Sequence, residues 1–205
     1  MSALRGMIFG AFIVGSGVIA CGPPKTSLTQ VWQAETPPTP LARMLVLAVR
    51  MDEANRRVLE DTFVQDLGRH GVSAAPGYTV FPGELPALDQ ARATVSQDGY
   101  EGVLVLKLRG VRDDARYVPG SMGFWGGYYG MWGGPGYYGG APGYVVNDET
   151  VVFETTLWDL RRGDRLLWTA RTETLNPMNG MDFAVSLKRA VDPALARDGF
   201  IGRGR

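Results

Sequence analysis

The chain has 205 residues, with 21 Lys plus Arg against 21 Asp plus Glu, one His and one Cys, and so no formal net charge. Without a basic excess nothing holds a phosphate backbone, which excludes a nucleic-acid partner. One cysteine makes no intramolecular disulfide, and one cysteine with one histidine is too few for a zinc site, so the fold must rest on its core with no cofactor or metal.

In chain order, Arg5 gives a positive start and residues 7–20 an apolar run ending in small residues, the pattern of an export signal. The run is shorter than the ~20 apolar residues that span a bilayer, and Gly15-Ser16-Gly17 interrupts it. It ends at the lone cysteine. Val18, Ala20 and Cys21 resemble the lipobox of bacterial lipoproteins. The resemblance implies that residues 1–20 are a signal peptide to be removed and that Cys21 carries acyl chains anchoring the protein in a membrane. Gly22, where an inner-membrane sorting signal has Asp, resembles the outer-membrane pattern, facing the periplasm. Residues 21–41 are rich in Pro, Thr and Ser and read as an extended tether, since proline blocks helix and sheet pairing. Val31 and Trp32 interrupt it and are expected to pack onto the domain.

Residues 44–49 form a continuous apolar run, the signature of a strand covered on both faces. Asp52 stands at an N-cap. Leu59, Phe63 and Leu67 follow four apart on one helical face, with Arg56, Arg57, Glu60 and Asp61 mostly on the other, and Gly71 as the left-handed stop. Residues 72–80 read as a second strand. Residues 85 or 86 to 97 read as a helix with Leu88, Ala91 and Val95 on one face, and 102–108 as a third strand. Two successive strand-helix-strand units imply right-handed crossovers and parallel neighbours.

Residues 150–160 and 165–174 are rich in Val, Thr, Phe and Trp and flank Arg161-Arg162-Gly163-Asp164, a β-hairpin with Gly163 at a positive φ. With Leu160 opposite Arg165, Glu154 faces Arg171, Leu157 faces Trp168 and Trp158 faces Leu167. Val151, Phe153, Thr155, Leu157, Leu166, Trp168 and Ala170 then share the core face. Trp158 and Leu167 make an apolar pair on the other, to be covered by the protein's own loop or by a partner. Asn179 or Asp182 opens a last helix lined by Phe183, Leu187, Ala190 and Val191, which Pro193 kinks or restarts. Leu195, Phe200 and Ile201 dock the end. The fold class is α/β (α+β): β-α-β-α-β, a β-hairpin and a C-terminal helix, in a mixed sheet with helices mainly on one face. It is a single domain over 42–201, with an insertion at about 119–145 and a flexible tail at 202–205.

The successions 42–47, 55–60, 154–159 and 166–170 (Ala-Arg-Met-Leu-Val-Leu, Asn-Arg-Arg-Val-Leu-Glu, Glu-Thr-Thr-Leu-Trp-Asp, Leu-Leu-Trp-Thr-Ala) look like those of a group of bacterial envelope lipoproteins. The layout is similar to the N-terminal half of the Tol-system propeller protein, the curli-secretion lipoprotein and the lipoprotein activators of penicillin-binding proteins. The resemblance implies an accessory role through docking an envelope protein, and it transfers no site residues.

Residues 120–144 carry no charge and alternate glycine with large rings, among them Trp125, Tyr128, Tyr129, Trp132, Tyr137 and Tyr138. Three readings stand: a loosely collapsed insertion; an adhesive surface for a membrane interface, sugar rings or a partner; an ordered extension or oligomerisation element. With Trp158 these rings are the candidate interaction residues. No dinucleotide or phosphate-loop motif is present. His70 reads as a helix-end histidine favoured by the dipole. Asp113-Asp114 and Asp148-Glu149 flank the aromatic segment, either as solvated loop charges or as a pair bracketing a sugar. The expectation is a lipid-anchored, non-catalytic accessory module docking envelope proteins, the alternative a binder of glycan, peptidoglycan or lipid surface.

Overall fold

The computed structural model describes residues 25–35, 39–83, 86, 88–118, 144–161 and 163–202. In chain order they form β1 (Lys25–Gln33), β2 (Arg43–Val49), α1 (Glu53–Arg69), β3 (Ser73–Pro76), the single turn α2 (Gly77–Val80), α3 (Leu88–Gln97), β4 (Gly102–Val118), β5 (Tyr144–Asp159), β6 (Arg165–Leu175) and α4 (Gly180–Arg197). One mixed sheet runs β1-β6-β5-β4-β2-β3. β2 pairs in parallel with β3 and β4, as two strand-helix-strand units require, and the remaining pairs are antiparallel.

The alternation of β2 divides the core. Met44, Val46 and Ala48 face α1 and α4, meeting Leu59, Phe63, Leu67, Leu187, Val191 and Leu195. Leu45 and Leu47 face the opposite side, where Phe81, Val95 and Val103 pack beneath α3. The two long helices thus share one face, and α3 covers only the β2 and β4 part of the other.

Much of 21–41 is not tether. Lys25–Gln33 pairs with β6 as an edge strand. The prolines that block pairing sit at 23, 24, 37, 38 and 40, and none falls within the strand. Val31 and Trp32, expected to pack inward, are 44% and 50% exposed. Backbone pairing holds β1, together with Thr26, whose N–H donates to Ser186 Oγ at 3.1 Å and whose hydroxyl lies 2.7 Å from both Thr174 Oγ1 and Ser186 Oγ.

The second predicted strand stops at Pro76, because Gly77 turns the chain into α2. A Cβ on Gly77 would collide with the Leu47 side chain and lie 2.9 Å from Val46 O, so only glycine lets this turn approach β2. The β5–β6 register is as expected at Glu154↔Arg171 and Leu157↔Trp168, but a bulge beyond Leu157 sets Trp158 opposite Leu166. The extra residue turns Leu167 inward beside Trp168 and leaves Leu166 half-buried. The predicted Trp158–Leu167 pair does not form. α4 is capped by Asn179 and runs through Pro193. The proline costs it one backbone hydrogen bond, and the burial of Val191, Ala194 and Leu195 holds the turn.

The spacing of α1 assigns Arg56 and Glu60 to the solvent face, yet both are buried, Glu60 completely. Glu60 Oε1 accepts from Ala48 N at 2.9 Å and from Arg56 Nε at 3.1 Å, while Oε2 accepts from Tyr78 N at 2.8 Å. Arg56 also donates to Gly83 O at 2.9 Å and Phe81 O at 3.2 Å. The pair bonds backbone groups that β2, α2 and the following loop leave open, which offsets the cost of burying the charges. Removing one partner strands the other in the interior. Glu60→Ala and Arg56→Ala are each expected to cost ~3–5 kcal/mol in urea denaturation. The double variant should cost clearly less than the sum, as a double-mutant cycle reads directly.

Candidate functional site: the arm end of the sheet and an acid–histidine cluster

β4 and β5 outrun the rest of the sheet. β2 pairs with β4 only from Gly102 to Lys107, and β6 ends at Leu175 opposite Thr150. Beyond that point six pairs, from Asp113↔Glu149 to Val118↔Tyr144, continue as a two-stranded arm. At a strand rise near 3.3 Å the arm reaches roughly 20 Å past the sheet. Asn176 secures its root: its N–H donates to Glu149 O at 2.8 Å, its Oδ1 accepts from Glu149 N at 2.7 Å, and its Nδ2 donates to Asp148 at 2.8 Å.

In the sequence, the segment of residues 119–143 joins Val118 to Tyr144, the arm's last described pair. Trp125, Tyr128, Tyr129, Trp132, Tyr137 and Tyr138 lie in it, and with Cys21 they are outside the described residues. The acidic pairs flanking the segment are strand residues, not loop charges. Asp113 stands opposite Glu149 and Asp114 opposite Asp148, like charges directly across the ladder. That arrangement weakens the arm's pairing. Around the root lie exposed apolar side chains, Val111, Leu175, Met178 and Met181, and Val145 is exposed farther out, one pair short of the arm's last. A cleft of about 460 Å³, lined by Met51, Asn55, Leu108, Val111, Phe153 and Phe183, opens beside the N-termini of α1 and α4.

Strand directions place several features at this one end: the arm, the starts of α1 and α4, and Lys25, which pairs with Leu175. Trp158, the one described residue among the predicted rings, is elsewhere. It is half-buried at the edge of the α3 layer, donates to Thr156 Oγ1 at 3.0 Å, and lines a cleft of about 440 Å³ with Leu47, Phe81, Val95, Val105 and Leu160. Farther along the sheet lie the ion pairs Arg109–Glu154 at 3.4 Å and Arg112–Glu173 at 3.3 Å, with the half-exposed Trp32 lining a cleft with Arg109, Glu154 and Arg171. Glu154 thus pairs with Arg109, although Arg171 stands opposite it.

At the other end, where α1 and α4 finish, lies a cluster that sequence reading missed. Asp66 and His70 are one turn apart at the end of α1, and Asp192 faces them from α4. His70 Nδ1 is 2.7 Å from Gly202 O, so it carries the proton and leaves Nε2 toward Asp66 Oδ2 at 3.6 Å. Lys188 Nζ donates to Asp66 Oδ1 at 2.6 Å and Arg69 Nη1 at 3.1 Å. Burial pushes Asp66 upward, but hydrogen bonds from Asp192 and Lys188 and the charges of Lys188 and His70 outweigh it and hold the carboxyl at about 2. Burial, then the hydrogen bond and charge of Asp66, push Asp192 up to about 9 against the opposing charge of Lys188. As a carboxylate Asp192 has no donor in reach among the described residues, and it is satisfied when protonated and donating to Asp66. The visible signals were an acid and a histidine at i, i+4, and a lone acid on the apolar stripe of α4.

These shifts set opposite slopes. The unfolded chain releases the Asp192 proton near ~3.9, whereas the folded protein keeps it to about 9. Across that window unfolding releases a proton, so this group lowers stability as pH rises. Asp66 acts in acid: its contribution is full above ~3.9 and is lost as pH falls toward about 2. Asp192→Asn keeps a donor for Asp66 without an ionisable group. In buffer with chelator it is expected to be more stable than wild type by ~1–3 kcal/mol near pH 8 and to flatten the slope from about pH 5 to 9. Chemical denaturation across that range checks both.

No protein-family model matches the chain, and no curated protein matches it. Among solved structures, a methionine-substituted PelC dodecamer from Paraburkholderia phytofirmans is 13% identical with a TM-score of 0.46, covering 85% of this chain and 99% of that one. A second PelC dodecamer from the same organism is 11% identical with a TM-score of 0.46, over 85% and 98% of the two chains. TolB from Acinetobacter baumannii is 11% identical with a TM-score of 0.37, over 85% of this chain and 31% of its own.

Proposed function

We propose that this chain is a lipid-anchored, non-catalytic accessory module of the bacterial cell envelope, held at the outer membrane on its periplasmic side and docking envelope proteins. One observation carries the reading furthest. Lys25 starts β1 at the arm end of the sheet, and Cys21 precedes it by four residues. Four residues span at most about 14 Å, less than the roughly 20 Å by which the arm projects. A lipid on Cys21 therefore holds the arm end toward the bilayer, within reach of the uncharged aromatic segment between the two strands. The far end and the ion-paired sheet face are left to partners.

The same geometry favours a second reading in its lipid form, with the tryptophans and tyrosines of the segment settling at the membrane interface. A glycan or peptidoglycan platform gains nothing from it. Two variants separate the readings. Cys21→Ser is expected to abolish acyl labelling and membrane fractionation, and persistence of both would overturn the anchor. Replacing residues 119–143 by Asn-Gly, a two-residue connection between paired strands, is expected to keep the fold and lower liposome binding by at least about tenfold. If cross-links to envelope proteins in cells disappear with it, the segment itself is the docking surface. If they survive, docking lies elsewhere on the domain. Turnover of peptidoglycan by the wild-type chain that is lost in Asp114→Asn would sink the non-catalytic reading.

A further inference from the structure

We propose that Asp66, His70 and Asp192 bind one divalent first-row transition-metal ion, which clasps the C-terminal halves of α1 and α4. Each offers one ligand atom, and these atoms lie within 4.8 Å of one another. The ligand–ligand separation around a four-coordinate ion is ~3.3 Å, so side-chain closure suffices without moving a helix. The sequence count of one histidine and one cysteine argues only against sulfur-rich zinc sites. An imidazole with two carboxylates is a different donor set, suited to zinc, cobalt, iron or manganese and too small for calcium.

Three independent features point into the same space. Asp192 is 3% exposed, and among the described residues no donor reaches either of its carboxylate oxygens. A buried acceptor without a donor is costly, and a cation satisfies it. His70 is already oriented as metal-bound histidines are: Nδ1 donates to the Gly202 carbonyl and Nε2 points to the carboxylates. Asp66 divides its oxygens, Oδ1 held by Lys188 and Arg69 and Oδ2 turned toward His70. The ion would bridge a contact that otherwise joins the two helices here through the Lys188–Asp66 pair.

The probe is Co2+ added to the full chain after chelation, read by visible absorption and by thermal unfolding. One equivalent is expected to bring up the absorption bands of protein-bound Co2+ and to raise Tm with concentration, and Zn2+ should displace it. Asp192→Asn, which keeps the side-chain shape, is expected to weaken Co2+ by more than about 100-fold, beyond what loss of an outer-shell partner does. Lys188→Met, which frees Asp66 Oδ1 and removes a nearby cation, is expected to tighten it. Absence of binding at millimolar Co2+, Zn2+ or Mn2+ overturns the site. So does binding that Asp192→Asn leaves unchanged, which would place the ion on the exposed acids of the arm.

Discussion

A carboxylate with no exposed surface organises the parallel half of this molecule. Glu60 takes the amide of Ala48 at the end of β2, the amide of Tyr78 at the start of α2 and the guanidinium of Arg56 one turn back on its own helix. Without it the Ala48 amide would be a buried donor without an acceptor, and Arg56 would be left with the carbonyls of Phe81 and Gly83 and no buried carboxylate. The constraint reaches further than the bonds. Because Glu60 fixes α1 against β2, the apolar stripe of Leu59, Phe63 and Leu67 has one way to lie on the sheet. Because it fixes α2, Gly77 must have no side chain, and the chain then leaves for Phe81 and the second layer. Both cores are thus registered to one side chain.

The two ends of the sheet carry different chemistry. At the arm end, exposed apolar side chains, the capped starts of α1 and α4 and like charges across a two-stranded ribbon gather where β1 begins. The facing like charges weaken the ribbon, and the exposed apolar side chains add nothing to the core. At the other end the groups turn inward: an acid pair, an imidazole and a lysine between two helix ends, with Trp168 Nε1 bonded to Asp198 nearby at 3.1 Å. That end holds α1 to α4 through the Lys188–Asp66 pair.

The parts of this that the sequence shows are those governed by one period or one local rule. The run 44–49, the four-residue spacing of Leu59, Phe63 and Leu67, the caps at Asp52 and Asn179 and the left-handed Gly71 all depend on neighbours in the chain. What stayed hidden depends on distant partners. Arg56 and Glu60 look like solvent-facing charges until Ala48 and Tyr78 come to meet them. β1 looks like tether because prolines on both sides mask the unbroken stretch between them. The bulge at Leu167 changes which of two leucines faces in, and no alternation pattern marks it. The acid–histidine cluster needs α1 and α4 side by side, a contact between residues over a hundred positions apart.

The placement of β1 has a mechanical side. The strand begins at Lys25 and runs from the arm end into the domain, with eight residues paired to β6 on the two sides of a bulge between Leu28 and Gln30. A pull on the chain ahead of Lys25, directed away from the domain, therefore acts parallel to the strand, and the rungs of the ladder share it in shear instead of parting one after another. A strand entering from the opposite end would have to fold back, and the same pull would peel it open from its first rung. By its direction alone, an edge strand held mostly by backbone bonds becomes a fastening suited to load.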